Sequence, residues 1–195
     1  KGGTYLNQVL SDILDMSLLD QGKVQLKKET INISSLIGDC VEPYLDRARA
    51  KNIKIIIDVQ DQLSSIGDPQ AINKALSALI SNGLKFNDFG GTIRICARNH
   101  GSKNTIYVED SGHGIDPTLM TKLGRPFEQS TQFLENGMKG SGLGLAIAQS
   151  IGLLHGGCLR IKSKQGIGTV VMLRLPALSL QSDEAKALLH SREAA

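Results

Sequence analysis

Two glycine-rich segments constrain this chain more than any other feature of its sequence. The first, DSGHGI at residues 110–115, directly follows a segment at 104–109 that predicts a β-strand. The second, GSGLGL at 140–145, opens a stretch with apolar residues at helical spacing. Glycines at the entrance of a helix let the backbone approach a ligand closely and direct free N–H groups toward an anion. A tight turn without any ligand explains either segment equally well when it is taken alone.

The first 50 residues predict two helices. Residues 4–20 place apolar side chains at alternating three- and four-residue steps, which indicates an amphipathic helix that needs a partner surface. Gly22 is positioned to end this helix in a left-handed conformation. A second helical pattern follows a predicted N-cap at Ser34 or Ser35, and Pro43 within it predicts a kink or a late helix start.

The following residues predict five strands and two further helices. Period-two alternation and turn residues indicate strands near 53–59, 92–98, 104–109, 158–163 and 168–175. Asp68 and Pro69 open one helix, and residues 143–154 form the other. Neighbouring strand pairs argue against a doubly wound parallel sheet. The sequence therefore predicts an α/β (α+β) two-layer sandwich, with a mixed sheet, helices on one face and one long helix in front.

The composition excludes two classes of function for this stretch of chain. No apolar run approaches the roughly 20 residues that span a bilayer, so we expect no membrane contact here. Lys and Arg are scattered at a net charge of +3, and aromatic residues make up only 4%. A nucleic-acid partner is therefore not expected, because a basic stripe and stacking platforms are both missing from the sequence.

The cysteines and histidines show no metal-ligand spacing. The three cysteines, Cys40, Cys96 and Cys158, are far apart and are typical of small buried apolar residues in a reducing compartment. We therefore expect a cytoplasmic location, whether or not the full-length protein is membrane-anchored. The four histidines are expected to be surface or loop residues: His100, His113, His155 and His190.

Five short motifs occur in a fixed order along the chain: NGLKFN at 82–87, DSGHGI, PFEQ at 126–129, GSGLGL, and Gly168 with Thr169. In order and spacing they resemble the N, G1, F, G2 and G3 boxes of the sensor histidine kinases. That family shares a superfamily with DNA gyrase B, the Hsp90 chaperone and MutL. The resemblance covers residues 4–176 and implies the ATP-binding catalytic domain of such a kinase. The segment GRPFEQ is similar to that of alphaproteobacterial cell-cycle kinases.

The resemblance also implies which residues contact ATP and Mg²⁺. Asn82 is expected to bind Mg²⁺ through its side-chain oxygen, and Lys85, on the same helix face, to reach the phosphates. Asp110 is expected to accept the amino group of adenine, and Thr169 to join it through water. Gly112 and Gly114 are expected to leave room for the base. The other implied nucleotide-binding residues are Phe86, Asn87, Ile115, Lys139, Gly140, Ser141, Gly142, Leu143 and Gly144.

Two features depart from the family pattern. Ala78 stands where histidine kinases usually carry a second Asn and where water-cleaving members of the superfamily carry a general-base Glu. No segment matches the H box that holds the phosphate-accepting histidine, so no catalytic acceptor is expected in this chain. A start at Lys1 without an initiator Met predicts a piece of a longer protein. We expect the second stem helix and a linker at 1–30, the ATP-binding domain at 31–176 and a tail at 177–195.

The expected function is to bind MgATP and to present its γ-phosphate to a histidine on the first stem helix. The expected partners are the kinase's own stem, within a homodimer, and a response regulator. Two alternatives stay open on the sequence alone. One is a pseudokinase that binds nucleotide only to signal its conformation, and the other is an ATPase from another branch of the superfamily.

Overall fold

The structure is a computed structural model, and it describes residues 2–22, 24–127 and 141–178. The helices of these ranges are α1 (Gly2–Asp20), α2 (Ile33–Val41), α3 (Leu45–Ala50), α4 (Pro69–Lys85), α5 (Pro117–Met120) and α6 (Gly144–Leu154). The strands are β1 (Glu29–Asn32), β2 (Lys54–Val59), β3 (Ser64–Gly67), β4 (Thr92–His100), β5 (Lys103–Asp110), β6 (Cys158–Lys164) and β7 (Gly168–Pro176). A 3₁₀ turn at Glu42–Tyr44 joins α2 to α3.

A five-stranded mixed sheet carries the fold. Its strand order is β2-β4-β5-β7-β6, with β2 parallel to β4 and antiparallel pairing at the other three junctions. Helices α2, α4 and α6 pack on one face of this sheet, and β1 pairs with β3 in a separate antiparallel ribbon. The predicted two-layer sandwich with a mixed sheet and helices on one face is confirmed.

The side-chain alternation of the strands explains which face the helices cover. On β4, Ile93 and Ile95 are at most 1% exposed and point toward the helices, whereas Arg94 between them is exposed. On β5, Ile106 and Val108 are buried on the same side. Each such apolar side chain contributes about 1.5–3 kcal/mol when it is removed from water. The core therefore lies between one face of the sheet and the helix layer.

Local capping differs from the sequence prediction at one helix and agrees at another. Asn32 caps α2, because its side-chain oxygen accepts the backbone N–H of Ser35 at 3.0 Å, so the predicted cap at Ser34 or Ser35 was wrong. Pro43 lies in the 3₁₀ turn that separates α2 from α3, which is the predicted interruption. Asp68 caps α4 as predicted and accepts the Ala71 N–H at 3.0 Å.

Backbone pairing reaches slightly past residues 31 and 176, the limits expected for the ATP-binding domain, which stay a prediction. Strand β1 starts at Glu29, and an isolated bridge joins Ser65 to Ala177. The backbone N–H of Leu178 also donates to the Ser64 carbonyl at 2.9 Å. Backbone hydrogen bonding therefore runs from Glu29 to Leu178. Within the described ranges, no helix combines the length and the apolar character needed to cross a membrane.

His155 is buried at 4% exposure, so the prediction of a surface or loop residue was wrong for this histidine. It lies at the end of α6, where its Nδ1–H donates to the Ile151 carbonyl at 2.7 Å. Its Nε2 accepts the backbone N–H of Asp68 at 2.9 Å, which joins the end of α6 to the start of α4. Burial lowers the pKa of His155 below its ordinary value. The neutral imidazole is therefore a structural link between these two helices.

This link predicts a pH-dependent stability. The folded state holds His155 neutral with a lowered pKa, so its contribution is complete above the unfolded pKa of about 6.5. That contribution is lost as the pH falls from there through the lowered folded-state pKa. We expect a loss of about 1–3 kcal/mol, because protonated Nε2 no longer accepts the Asp68 N–H. Urea unfolding between pH 5 and 8 measures this loss.

The control compares two substitutions. His155→Gln keeps an acceptor but does not titrate, so its stability should vary less with pH than that of the unaltered chain. His100→Gln, at an exposed position, should keep the full pH dependence. An equal pH dependence in all three proteins would contradict this role of His155.

Candidate functional site

A cavity of about 1180 Å³ opens beside α4, α6 and the ends of β5 and β7. Its wall brings together ten of the predicted site residues: Asn82, Lys85, Phe86, Asp110, Gly114, Ile115, Ser141, Gly142, Gly144 and Thr169. These residues come from four separate motifs, which meet only because of the fold. Lys139 and Gly140, which the sequence also predicts here, lie outside the described residues.

Asp110 and Thr169 form one polar end of the cavity. They are directly paired residues of β5 and β7, and both side chains lie on the helix-covered face of the sheet. The Asp110 Oδ1 accepts the backbone N–H of Gly112 at 3.0 Å. Burial raises the pKa of Asp110, and the backbone N–H groups of Gly112 and Thr169 partly oppose this effect. The site therefore keeps a partly desolvated carboxylate, which is a strong acceptor for a ligand N–H.

Ser163 fixes the direction of the Thr169 hydroxyl, and sequence reasoning missed it. Its Oγ accepts the Ile115 N–H at 2.9 Å, donates to the Gly168 carbonyl at 2.9 Å and lies 2.9 Å from the Thr169 Oγ1. A serine hydroxyl has one proton and two lone pairs. With its proton on the Gly168 carbonyl, Ser163 must accept the proton of Thr169. The Thr169 Oγ1 then offers only lone pairs to the cavity.

The other end of the cavity suits an anion. Helix α6 begins at Gly144, after Gly142 with a φ of +71°, and the positive end of its dipole faces the cavity. Asn82 and Lys85 share one face of α4 and line the same space. The Lys85 Nζ lies 4.6 Å from the Phe86 ring centroid, and burial lowers the pKa of its ammonium group. A half-buried cation near a helix N-terminus can neutralise a phosphate group.

Two of the motif glycines are required by close backbone approach. A Cβ on Gly112 would lie 2.2 Å from the Phe86 carbonyl oxygen. Gly114 has a φ of +66°, and a Cβ there would lie 2.1 Å from the Lys164 carbonyl oxygen. The expectation that both also leave room for a base stays a prediction. Gly114 lines the cavity, whereas Gly112 is buried outside its lining. At both positions a side chain would collide with a neighbouring backbone carbonyl.

Asn87 and Leu143 also lie away from the cavity wall. The Asn87 side chain is buried, donates to the Thr92 carbonyl at 2.9 Å and accepts the Ser111 hydroxyl at 3.2 Å. Leu143 is fully buried in the core beneath the loop. The side chains of both residues therefore support the loops that line the site, and nucleotide contact at Asn87 and Leu143 stays a prediction.

The family profile described as histidine kinase-, DNA gyrase B-, and HSP90-like ATPase matches residues 67–179, which is more than half of the chain. The matched range contains Asn82, Asp110, Gly142 and Thr169. The chain belongs to this ATPase family. Within the superfamily, this match and the relatives described next confirm the predicted sensor histidine kinase ATP-binding domain.

Relatives and a solved structure agree with this assignment. The uncharacterized sensor-like histidine kinase R01002 of Rhizobium meliloti (strain 1021) is 32% identical over 91% of this chain and 34% of its own length. Histidine protein kinase DivJ of Caulobacter vibrioides is 30% identical over 91% of this chain and 30% of its own length. The chain thus spans about a third of these relatives.

The fold of the ATPase domain is also found in the crystal structure of full-length ShkA in complex with AMPPNP. That structure superposes with a TM-score of 0.81 at 23% identity, over 93% of this chain and 38% of the other. At this identity the match supports the fold alone. The mixed sheet and the helix layer of this chain are therefore shared with a nucleotide-bound relative.

Helix α1 packs against the anion end of the ATPase domain, a contact that the sequence did not predict. The Asp12 Oδ2 accepts the Ser141 hydroxyl at 2.6 Å, and Asp15 forms an ion pair with Lys74 of α4. Val9 and Asp12 also line the cavity. A carboxylate of the long helix therefore lies at the loop that is suited to phosphate.

Asp110→Asn should weaken ATP binding without lowering the stability of the fold. The folded pKa of Asp110 is raised, so its ionised form disfavours folding at neutral pH, and the carboxamide removes that cost. We expect ATP to bind at least about 1.5 kcal/mol more weakly, the value of one charge-assisted hydrogen bond. The melting temperature without nucleotide should not fall. Asp61→Asn, at an exposed loop position, should change neither quantity. Calorimetry showing unchanged ATP affinity for Asp110→Asn would contradict the assignment.

Ser163→Ala should reduce the preference for ATP over GTP. With Ser163 present, both Asp110 and Thr169 are acceptors, which suits the amino group of adenine and opposes the carbonyl of guanine. Without it, the Thr169 hydroxyl can rotate and donate, so we expect the ATP-to-GTP affinity ratio to fall about 2- to 10-fold. Competition binding with both nucleotides measures this ratio. Ser163→Thr retains the hydroxyl and should keep the ratio, and an unchanged ratio in Ser163→Ala would refute the role of Ser163.

Proposed function

We propose that this ATPase domain binds MgATP and presents the γ-phosphate to a histidine of a kinase stem. The observation that supports this most directly is the polarity of the cavity. Its Asp110–Thr169 end offers acceptors alone, its α6 end offers backbone N–H groups, and Lys85 lines the same cavity. Adenine has an amino donor and the triphosphate is anionic, so ATP matches both ends at once.

Each described residue has a defined task in this proposal. Asp110 accepts the adenine amino group, and the N-terminus of α6 holds phosphate oxygens through its N–H groups. Lys85 neutralises phosphate charge. These contacts orient the γ-phosphate toward the open side of the cavity. An oriented nucleophile gains several kcal/mol over a free one, so positioning supplies most of the catalysis.

Asn82 is the proposed magnesium ligand. It lies half-exposed on the cavity wall and offers a neutral oxygen, and the described residues contain no cluster of three His, Cys, Asp or Glu that could hold a metal ion. Mg²⁺ commonly takes only one or two ligands from the protein and completes its shell with phosphates and water. One amide oxygen beside a phosphate site therefore fits this ion. When bound, Mg²⁺ supplies charge neutralisation at the phosphates.

Ala78 favours phosphate transfer over ATP hydrolysis. Ala78 lines the cavity beside the start of α6. A Cβ placed on Gly144 would lie 3.3 Å from the Ala78 Cβ. A methyl group cannot remove a proton from water. The position where a water-cleaving relative would need a base therefore holds none, which supports a nucleophile supplied from elsewhere.

The proposed partners are a second copy of the kinase stem and a response regulator. Helix α1 keeps an apolar stripe exposed, with Leu6 at 58%, Leu10 at 51% and Leu14 at 65%. Such a stripe suits pairing with other stem helices. We propose that residues 1–30 belong to that stem, that 31–176 form the nucleotide-binding unit and that the domain works in the cytoplasm, where ATP is available.

Labelled ATP provides the test. Alone, this chain should bind nucleotide and gain no stable phosphate, because none of its histidines lies in an H box. An upstream extension that supplies the parent's first stem helix, in the same chain or in a partner chain, should become labelled at its histidine when Mg²⁺ is present. Asn82→Ala should reduce this labelling and weaken the Mg²⁺ dependence of ATP binding.

The outcomes are distinct. Acid-labile label on the chain alone would overturn the proposal. Tight ATP binding without transfer to a complete stem would favour the pseudokinase alternative. Steady release of free phosphate, at a comparable rate with and without the first stem helix, would favour an ATPase.

A further inference from the structure

The second face of the five-stranded sheet carries a concentration of positive charge. Strand alternation turns six cationic side chains toward this face, in addition to Arg94 and Arg98: Lys54, Lys103, Arg160, Lys162, Lys164 and Arg174. Among the described strands, two carboxylates point the same way, those of Asp58 and Glu109. We call this surface the basic face. In the sequence these cations are scattered, and only the sheet brings them together.

Most of this charge is not neutralised within the described chain. Asp58 pairs with both Arg94 and Arg98, at 2.6 and 2.7 Å. No described carboxylate lies within ion-pair distance of the other six cations. The cations on β6 disfavour pairing of this edge strand with another sheet. That explanation does not apply to Lys103 and Arg174, which lie on the interior strands β5 and β7.

The basic face also has an apolar component and a groove. No described helix packs on it. Across one end of strands β4 to β7, a shallow groove of about 520 Å³ has three cationic residues, two acidic residues and two apolar residues in its lining: Arg94, Lys162 and Lys164, Glu109 and Asp110, and Ile167 and Val170. Ile167 is 60% exposed. A ligand that matches this groove needs negative charge and apolar side chains together.

An unsatisfied hydroxyl lies at the centre of the basic face. Among the described residues, Thr105 Oγ1 is the one buried side-chain oxygen or nitrogen without a hydrogen-bond partner. In the sheet register Thr105 lies between Arg98 and Arg174. Buried polar groups without partners are rare, so this hydroxyl is an exception among the described residues.

We propose that the basic face is a docking surface for an acidic, leucine-bearing segment of a partner protein. At the usual strand spacing, five strands of about eight residues present roughly 600 Å². That is somewhat less than the roughly 800 Å² that each partner contributes to a standard interface, so the contact is a transient one. Face-to-face pairing with a second copy of this chain is disfavoured, because two such faces repel each other.

A protein segment fits the basic face better than a nucleic acid does. Asp58 and Glu109 lie within the face and would repel a phosphate backbone. Tyr107 is the aromatic residue that the described strands turn toward this face besides His100, and its hydroxyl lies 3.0 Å from the His100 Nε2. Base stacking therefore has little support here, whereas the groove with Ile167 offers a place for an aliphatic side chain.

A titration followed by NMR tests the proposal on the full chain. The probe is a 16-residue peptide of glutamates with interspersed leucines. Comparison probes are the same peptide with each leucine replaced by serine and a single-stranded DNA of similar charge. We expect the leucine-bearing peptide to shift amides of β4 to β7 and to bind at least threefold more tightly than either comparison probe.

Two double substitutions with the same change in charge provide the control. Arg160→Glu with Lys162→Glu, on the basic face, should weaken peptide binding at least tenfold and leave ATP affinity within about threefold. Lys27→Glu with Arg49→Glu, at exposed positions away from this face, should leave peptide binding within about twofold.

Each alternative result overturns the proposal in its own way. Equal losses in the two double variants would show non-specific charge attraction. Tighter binding of DNA would identify a nucleic-acid surface. No shifts at millimolar peptide would show a face that is merely solvated.

Discussion

The antiparallel pairing of β5 with β7 is the interaction on which the nucleotide site depends. Its register places Asp110 opposite Thr169, with both side chains on the helix-covered face. Because side chains alternate along a strand, a slip of one residue would turn a site residue to the other face. Gly168 makes the register possible, since a Cβ there would lie 2.0 Å from the Asp110 carbonyl oxygen. The proposed adenine recognition would therefore depend on the sheet as much as on the side chains.

The helix pair α4 and α6 holds the phosphate end of the site in place. Near the cavity the two helices approach closely at Ala78 and Gly144, and away from it His155 joins the end of α6 to Asp68 at the start of α4. The pair is thus fixed at both ends. Asn82 and the N-terminus of α6 keep a constant separation as a result, which suits a domain whose contribution to catalysis is positioning.

One sheet supports two surfaces of different character. The face under the helices is apolar and carries the proposed nucleotide-binding residues, whereas the opposite face carries most of the cations of the strands. Strands β5 and β7 are shared, so Asp110 and Thr169 lie on the same backbone as Lys103 and Arg174. A partner on the basic face would therefore contact the same strands that carry the proposed adenine-binding residues.

The sequence by itself determined the five main strands, the principal helices, the Asp68 cap and the motifs that identify the family, because periodicity, caps and glycine spacing are encoded by neighbouring residues. The ribbon of β1 and β3 escaped prediction because four-residue strands carry little periodic signal. Only the tertiary structure decided the burial of His155, the role of Ser163 and the contact of Asp12 with the phosphate loop. These depend on residues far apart in the chain, whose meeting is set by the packing of whole elements and leaves no local pattern.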